Sequence, residues 1–375
     1  MNLKLIRNLT MPLALTLICI YFSIREPSFI GPRNLTQLIV EFSITGTLAL
    51  GMFLVLLTGQ IDLSVGSGVG LIGGLSAVLI FQYNWPAYLA LLTGLILSVI
   101  IWSLMGYLII KQRIPSFIIT LGGLLIFKGF FWQIIQNSTI PVSRGDIENI
   151  YSKLTTYYLP HGLGLLLAFL IAAVLAYLIH SERNSRREHH LTVSSPYKSI
   201  SSWLIITCGL VGITIIFNHF RGVPLTLLVL ASTASVVYFL TQHTSFGRYI
   251  YAIGGNPEAA SLSGINVRLV TTLSFTLMGV AVALTGFMTT AYSGASTTTV
   301  GDLMELDAIA ACVIGGTALR GGRGTVGGVI WGALIMTTLL NGMTLIAVPP
   351  EIKFIARGTV LTLAVWLDVQ LGKKK

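Results

Sequence analysis

The chain has 375 residues, 54% of them hydrophobic and only 10% charged, with a mean hydropathy of +0.84. Soluble domains carry roughly 45–50% apolar and about 25% charged residues, so this composition excludes the soluble globular class and points to lipid. The net charge of +10 comes from 23 Lys and Arg that lie between long apolar runs, with no interleaved aromatics, which argues against nucleic acid as the partner.

In chain order, Lys4 and Arg7 precede an apolar run at 9–24 that imitates a signal peptide. Ser23, Ile24, Arg25, Glu26 and Pro27 follow in place of a small-residue cleavage site, so an uncleaved first span is expected. Further runs able to cross about 30 Å of hydrocarbon lie near 36–58, 65–82, 86–110, 117–136, 162–180 and 200–217. The last five lie near 224–242, 269–292, 305–319, 325–346 and 354–370. The expected architecture is an all-α, polytopic transmembrane helical bundle of about 10–12 spans forming one domain over 1–375. Whether 305–319 crosses or re-enters is left open by its length. With the N-terminus inside, 15 Lys and Arg fall on the cytoplasmic side and 6 on the other, with Lys128 and Arg357 within or beside spans. That asymmetry places both termini in the cytoplasm.

The three cysteines, Cys19, Cys208 and Cys312, fall in or beside apolar runs without metal-ligand spacing and read as small core hydrophobes. The basic run SERNSRREHH at 181–190 reads as a solvated connection, and adjacent His189 and His190 lack the further ligands a metal needs. No phosphate loop, HExxH, CxxC or GxSxG occurs, so no metal, cofactor or catalytic group is expected, and ATP, if used, is hydrolysed by another chain.

Charges inside spans are costly and therefore informative. Glu41, Lys128 and Arg357 are the candidates; snorkelling or pairing suits Glu41 and Arg357, whereas Lys128 in LLIFKGFFWQ sits mid-span. Asp62 and Ser64 in TGQIDLSVGSGVGLIGG (58–74) interrupt an apolar stretch, and Asp62 has two readings, a cap for the next helix or part of a solute path. Gly66, Gly70 and Gly74 then form a stripe for close packing, and Gly324, Gly328 and Gly332 repeat the spacing in GGTALRGGRGTVGGVIWG (315–332), as a fold with structural repeats would.

The longest polar interruption is TSFGRYIYAIGGNPEAASLSGINVR, 244–268, on the cytoplasmic side of the charge count. Asn256 suits an N-cap, Pro257 the first helical position, Glu258 the positive end of the dipole and Gly264 the terminus, which predicts a two-turn helix over 257–263. So short a helix needs support, since roughly 12–15 residues are required in isolation. Its slim Ala259, Ala260, Ser261 and Ser263 suit a groove on a partner, or equally a turn tucked against its own membrane domain.

At this loop GRYIYAIGGNPEAASLSGIN resembles the cytoplasmic signature of permease subunits of bacterial ABC importers for monosaccharides, of the ribose and xylose type. GTLALGMFLVLLTGQIDLSVGS (46–67), IPSFIITLGG (114–123), ELDAIAACVIGGTALRGGRGTVGG (305–328) and NGM (341–343) resemble the same family, so the likeness covers nearly the whole chain. The helix pair and basic linker across 162–217 (linker 181–198), NHFRGVP (218–224) and VWLD near the end are similar to the xylose members. Glu41, where a neutral polar residue is expected, and the basic linker depart from the pattern. The resemblance implies a bacterial inner-membrane permease working as two copies, with ATP-binding cassette subunits and a periplasmic sugar-binding protein as partners and a monosaccharide, D-xylose first, as substrate. It further implies that Gly247, Arg248, Gly254, Asn256, Pro257, Glu258, Ala259 and Gly264 belong to an ATPase-coupling loop. Asp62, Ser64 and Asp307 match family motifs as translocation-path or structural-break residues. An ion-coupled sugar symporter and a permease for ribose or another pentose are the competing functions, and a membrane-embedded enzyme is disfavoured by the missing catalytic set.

Overall fold

The computed structural model describes residues 3–143, 148–189 and 195–372. Their helices run in the order α1 (Leu3–Arg25), α2 (Pro32–Leu57), α3 (Val65–Phe81), α4 (Ala87–Gln112), α5 (Ser116–Ile135), α6 (Ile150–Thr156), α7 (His161–Glu188) and α8 (Pro196–Asn218). They continue as α9 (Leu225–His243), α10 (Ser245–Gly255), α11 (Pro257–Leu262), α12 (Val267–Ser293), α13 (Met304–Ile314), α14 (Val326–Leu345) and α15 (Pro350–Gly372). Among the described residues eight helices are long and apolar enough to cross a membrane: α2, α4, α5, α7, α8, α9, α12 and α14. Apolar stretches in α1 and α3 are shorter. The all-α, polytopic expectation is met. Among the described residues the strands form two antiparallel pairs of two residues each, β1 (Ile140–Pro141) with β4 (Ala295–Ser296) and β2 (Tyr158–Leu159) with β3 (Val223–Pro224).

The bundle is built around α2, whose residues Gly46 to Leu57 are all buried. That half of the helix has no charged or amide side chain and no side to give to water, and here other helices cover it. α12 lies against α2, α3 and α4, and α3 lies against α5. The Trp102 ring of α4 occupies the space that the missing side chain of Gly68 leaves open on α3. At the periphery α7 and α8 pack mainly on one another, joined by the Trp203 indole N–H donating to the Ala172 carbonyl at 2.8 Å. Leu166, Phe169, Leu170 and Ile205 on their outer faces are exposed, as lipid-facing residues are.

Four readings are corrected. The stretch 305–319 is not one full helix: α13 has 11 residues, a rise of about 16 Å and only half the hydrocarbon thickness. The missing half is supplied by non-helical chain at 294–303, which descends beside α3 with the Val300 carbonyl over Gly70 and the Gly301 carbonyl over Gly66. Its upper end is tied to β1 beyond α5, and the turn after α13 reaches Leu57 at the far end of α2, so the segment traverses the bundle. Second, residues 181–188 extend α7 as helix, with Arg186 paired to Glu182 at 2.9 Å and Arg183 donating to Ser199 at 2.8 Å. His190, like Arg144 and Lys373 to Lys375 of the charge count, lies outside the described residues. Third, Gly324 precedes α14, so that glycine stripe begins at Gly328. Fourth, most of the first half of the 244–268 loop is helical, as α10, and the expected helix over 257–263 ends at Leu262.

The α13–α14 contact rests on Gly332, where an added Cβ would strike the Ala311 carbonyl. Gly332→Ala is expected to destabilise the protein by about 1–3 kcal/mol, as overpacking does, and to lower its melting temperature in detergent. Gly327→Ala, in open space on the same helix, should leave the melting temperature unchanged.

Candidate functional site

The candidate site is the α10–α11 corner and the two polar breaks it touches. Thr244 begins α10 by accepting from the Gly247 N–H at 3.4 Å. From there Gly247, Ile250 and Ile253 fall on the buried side, while Arg248 and Tyr249 point outward. The Asn256 side chain accepts from the backbone N–H groups of Glu258 and Ala259, both at 3.0 Å, and Pro257 occupies the first turn. This is the capped short helix that the residue types predict. Gly264 takes φ +85°, a left-handed value that ends the helix, and Asn266 caps α12 through the Leu269 N–H at 3.0 Å.

On α11 only Ala260 is buried, and Leu262 is 91% exposed, the most exposed large apolar side chain among the described residues. What braces so short a helix is α10. The Gly322 N–H donates to the Leu57 carbonyl at 3.0 Å, and Gly254 packs onto both groups so closely that a Cβ would collide with backbone. The Tyr251 hydroxyl donates to the Gly324 carbonyl at 2.9 Å. The end of α2, the turn between α13 and α14, and α10 therefore form one junction. Of the residues proposed from sequence, Gly247 and Gly254 are packing positions, whereas Arg248, Asn256, Pro257, Glu258, Ala259 and Gly264 are exposed.

Asp62 lies in the break between α2 and α3, fully buried. One carboxylate oxygen accepts from the Ser64 N–H at 2.9 Å and the Ser64 hydroxyl at 2.6 Å; the other accepts from the Trp102 indole at 2.7 Å. The helix cap itself falls at Ser64, so Asp62 folds the break as a side-chain turn two residues ahead. Ser116 and Thr120 of α5 hold the Ile61 N–H and carbonyl at 3.0 and 3.3 Å. Asp307, on α13, lies 3.1 Å from Arg357 of α15, an ion pair without aligned hydrogen-bond geometry. Glu41 accepts from Tyr292 at 3.0 Å and from Asn341 at 3.1 Å, and Asn341 in turn accepts from Asn34 at 3.1 Å. Lys128 pairs with Asp302 at 3.0 Å. Among the described residues no group of three or more His, Cys, Asp or Glu could hold a metal. Sequence reasoning passed over Leu262, Tyr251, Trp102 and Asp302. For Leu262 a signal existed, a lone large apolar residue among small and polar ones in a surface loop.

A bundle of apolar helices with broken spans and a braced polar corner is an architecture that polytopic membrane permeases use. The family model "Branched-chain amino acid transport system / permease component" matches residues 34–365, and the chain belongs to that family. The chain is 38% identical over 369 residues to the xylose transport system permease protein XylH of Haemophilus influenzae, covering 97% of this chain and 96% of that one. It is 37% identical over 345 residues to the protein of the same name in Escherichia coli, covering 92% and 86%. To the ribose import permease protein RbsC of Escherichia coli it is 30% identical over 357 residues, covering 95% and 92%. No solved structure matches the chain.

Because Asp307 is almost wholly enclosed, removing one member of its pair leaves a stranded charge. Asp307→Ala and Arg357→Ala are each expected to cost about 3 kcal/mol, the lower end of what breaking buried pairs costs. The Asp307→Asn/Arg357→Gln double variant should melt closer to the wild type than either single variant in detergent.

Proposed function

We propose that this chain is the membrane-spanning subunit of an ATP-driven importer that carries a monosaccharide, D-xylose first, across the bacterial inner membrane. The carrying observation is its similarity, along nearly all of its length, to two proteins named xylose permeases, at 37–38% identity against 30% for a ribose permease. In this reading two copies enclose the pathway, a periplasmic binding protein delivers the sugar, and separate ATP-binding subunits dock on the cytoplasmic side. The docking element is 244–268, with the helix pair of 162–217 as an addition at the bundle's edge. The positive-inside charge distribution supports a cytoplasmic position for 244–268 and for both termini.

The coupling role of α10 and α11 is supported by their geometry. Leu262 offers an apolar knob, Glu258 lies one turn before it on α11, Arg248 is exposed on α10, and none of the three is buried in the fold of the chain itself. Behind that surface the Gly254–Leu57–Gly322 junction leads into both polar breaks, so a push on α11 is delivered to α2, α3 and α13 together. A two-state pathway biased by ATP binding on one side and by the loaded binding protein on the other needs such a rigid lever. Asp62, Ser64 and Asp307 serve here as the fixed framework of the breaks.

Reconstituted with its ATPase and binding protein, the chain is expected to take up labelled D-xylose only when ATP is present. Uptake by the chain alone under a proton gradient would sink the reading in favour of a symporter, and uptake of ribose but not xylose would correct the substrate. Leu262→Asp and Glu258→Lys are expected to reduce ATP-driven uptake at least tenfold and to weaken co-purification with the ATPase while leaving membrane insertion and melting temperature intact. Gly254→Trp, by contrast, collides with backbone and is expected to lower the melting temperature as well.

A further inference from the structure

The Lys128–Asp302 ion pair belongs neither to the enclosed turns nor to the coupling junction. Lys128 lies twelve residues, about 18 Å, from the start of α5 at Ser116 and seven residues, about 10 Å, from its end at Ile135, well inside the hydrocarbon span. Its partner Asp302 sits on the non-helical chain 294–303, which enters the bundle beside α3. The two side chains are 34% and 44% exposed. Trp132, one turn further along α5 and 41% exposed, carries the Lys128 ammonium 5.5 Å over its ring and donates its indole N–H to the Thr298 carbonyl at 3.2 Å. Thr299, also exposed, meets Thr297 at 3.1 Å.

This arrangement contrasts with the buried charges of the chain. Asp62, Glu305 and Asp307 are enclosed. The Lys128–Asp302 pair is open on one side, on the face of α5 formed by Leu121, Leu125, Lys128 and Trp132, opposite in character to the stripe Thr120, Gly123, Phe127 and Phe131 that is buried. An exposed ion pair and exposed irregular backbone at this depth are not compatible with lipid; such groups occur where they line a water-filled passage or are covered by protein. Substrate sites in transporters are likewise built where spans are broken, near the middle of the membrane.

We infer that Lys128, Trp132, Thr299 and Asp302 form the wall of the solute pathway that the sugar touches, with a second copy of the chain closing the opposite side. This assignment rests on the importer reading and deepens it. A monosaccharide presents hydroxyl groups around apolar C–H faces. Lys128 donates, Asp302 accepts, the Thr299 hydroxyl does both, and the Trp132 ring supplies an apolar surface, so the set matches that chemistry without binding a charged solute preferentially.

The test uses the reconstituted complex with ATPase and binding protein, in a background where Cys19 and Cys208 are serine and the buried Cys312 is retained. If the parent complex shows no ATP-driven uptake, the importer reading fails and takes this assignment with it. In a working complex, Thr299→Cys is expected to react with a charged, membrane-impermeant methanethiosulfonate at least tenfold faster than Ile126→Cys, which lies on the other exposed face of α5. The neutral double variant Lys128→Met/Asp302→Asn is expected to lower the sugar moved per ATP hydrolysed at least tenfold, a ratio that a merely structural defect would leave in place. Equal labelling rates, or an unchanged ratio in the double variant, would overturn the assignment while leaving the importer reading standing.

Discussion

Three backbones meet where the Gly322 N–H donates to the Leu57 carbonyl and Gly254 closes over both, and most of the remaining architecture depends on that meeting. Gly321 and Gly322 take φ +87° and +71°, conformations costly for other residues, and an added side chain on Gly254 would separate the chains. The contact welds the last turn of the most buried helix to the turn after the half-length α13 and to the helix that presents α11. Because these elements touch through backbone, with no flexible side chain between them, displacement of one is displacement of all. Densely packed contacts of this kind move as a unit or separate; they do not stretch.

The polar groups within the bundle fall into two kinds with different physical roles. Asp62 is enclosed and its carboxylate accepts three hydrogen bonds, which makes it a scaffold for an irregular turn. Glu41 is similarly occupied, joined to Tyr292 and Asn341, which gives a structural reason for a carboxylate where a neutral side chain was expected. Lys128 and Asp302 satisfy each other yet remain accessible. The distinction is between charge used to hold backbone in place and charge left open to a passing solute.

Much of the bundle was legible in the sequence because lipid imposes a simple demand, about 20 apolar residues per crossing. That demand located α2, α4, α5, α12 and α14 closely. It failed at α13, where Gly-rich flanks and Glu305 and Asp307 share an apolar run with the helix, and only the packing of Gly301 on Gly66 reveals that half of the crossing is irregular. α10 was missed because its 11 residues are too few and too mixed to stand out, and its helicity comes from burying Ile250 and Ile253. The cap of α11 was readable, since Asn256, Pro257 and Gly264 act locally. Partners distant in sequence were not: nothing near Asp62 announces Trp102, 40 residues away, and nothing near Lys128 announces Asp302.

The enclosed Asp62 and Asp307 also bear on how the chain enters the membrane during synthesis. When α2 and α3 first leave the insertion machinery, Asp62 has Ser64 beside it, but the indole that occupies its second oxygen belongs to α4 and has yet to emerge. Asp307 waits longer, for an arginine in the final helix. Each acid therefore holds its span back from free release into lipid until a later span arrives, because an unpaired carboxylate is poorly tolerated there. On this basis α3 is completed by α4 and α13 only by α15, so α15 is expected to serve insertion as well as the finished bundle.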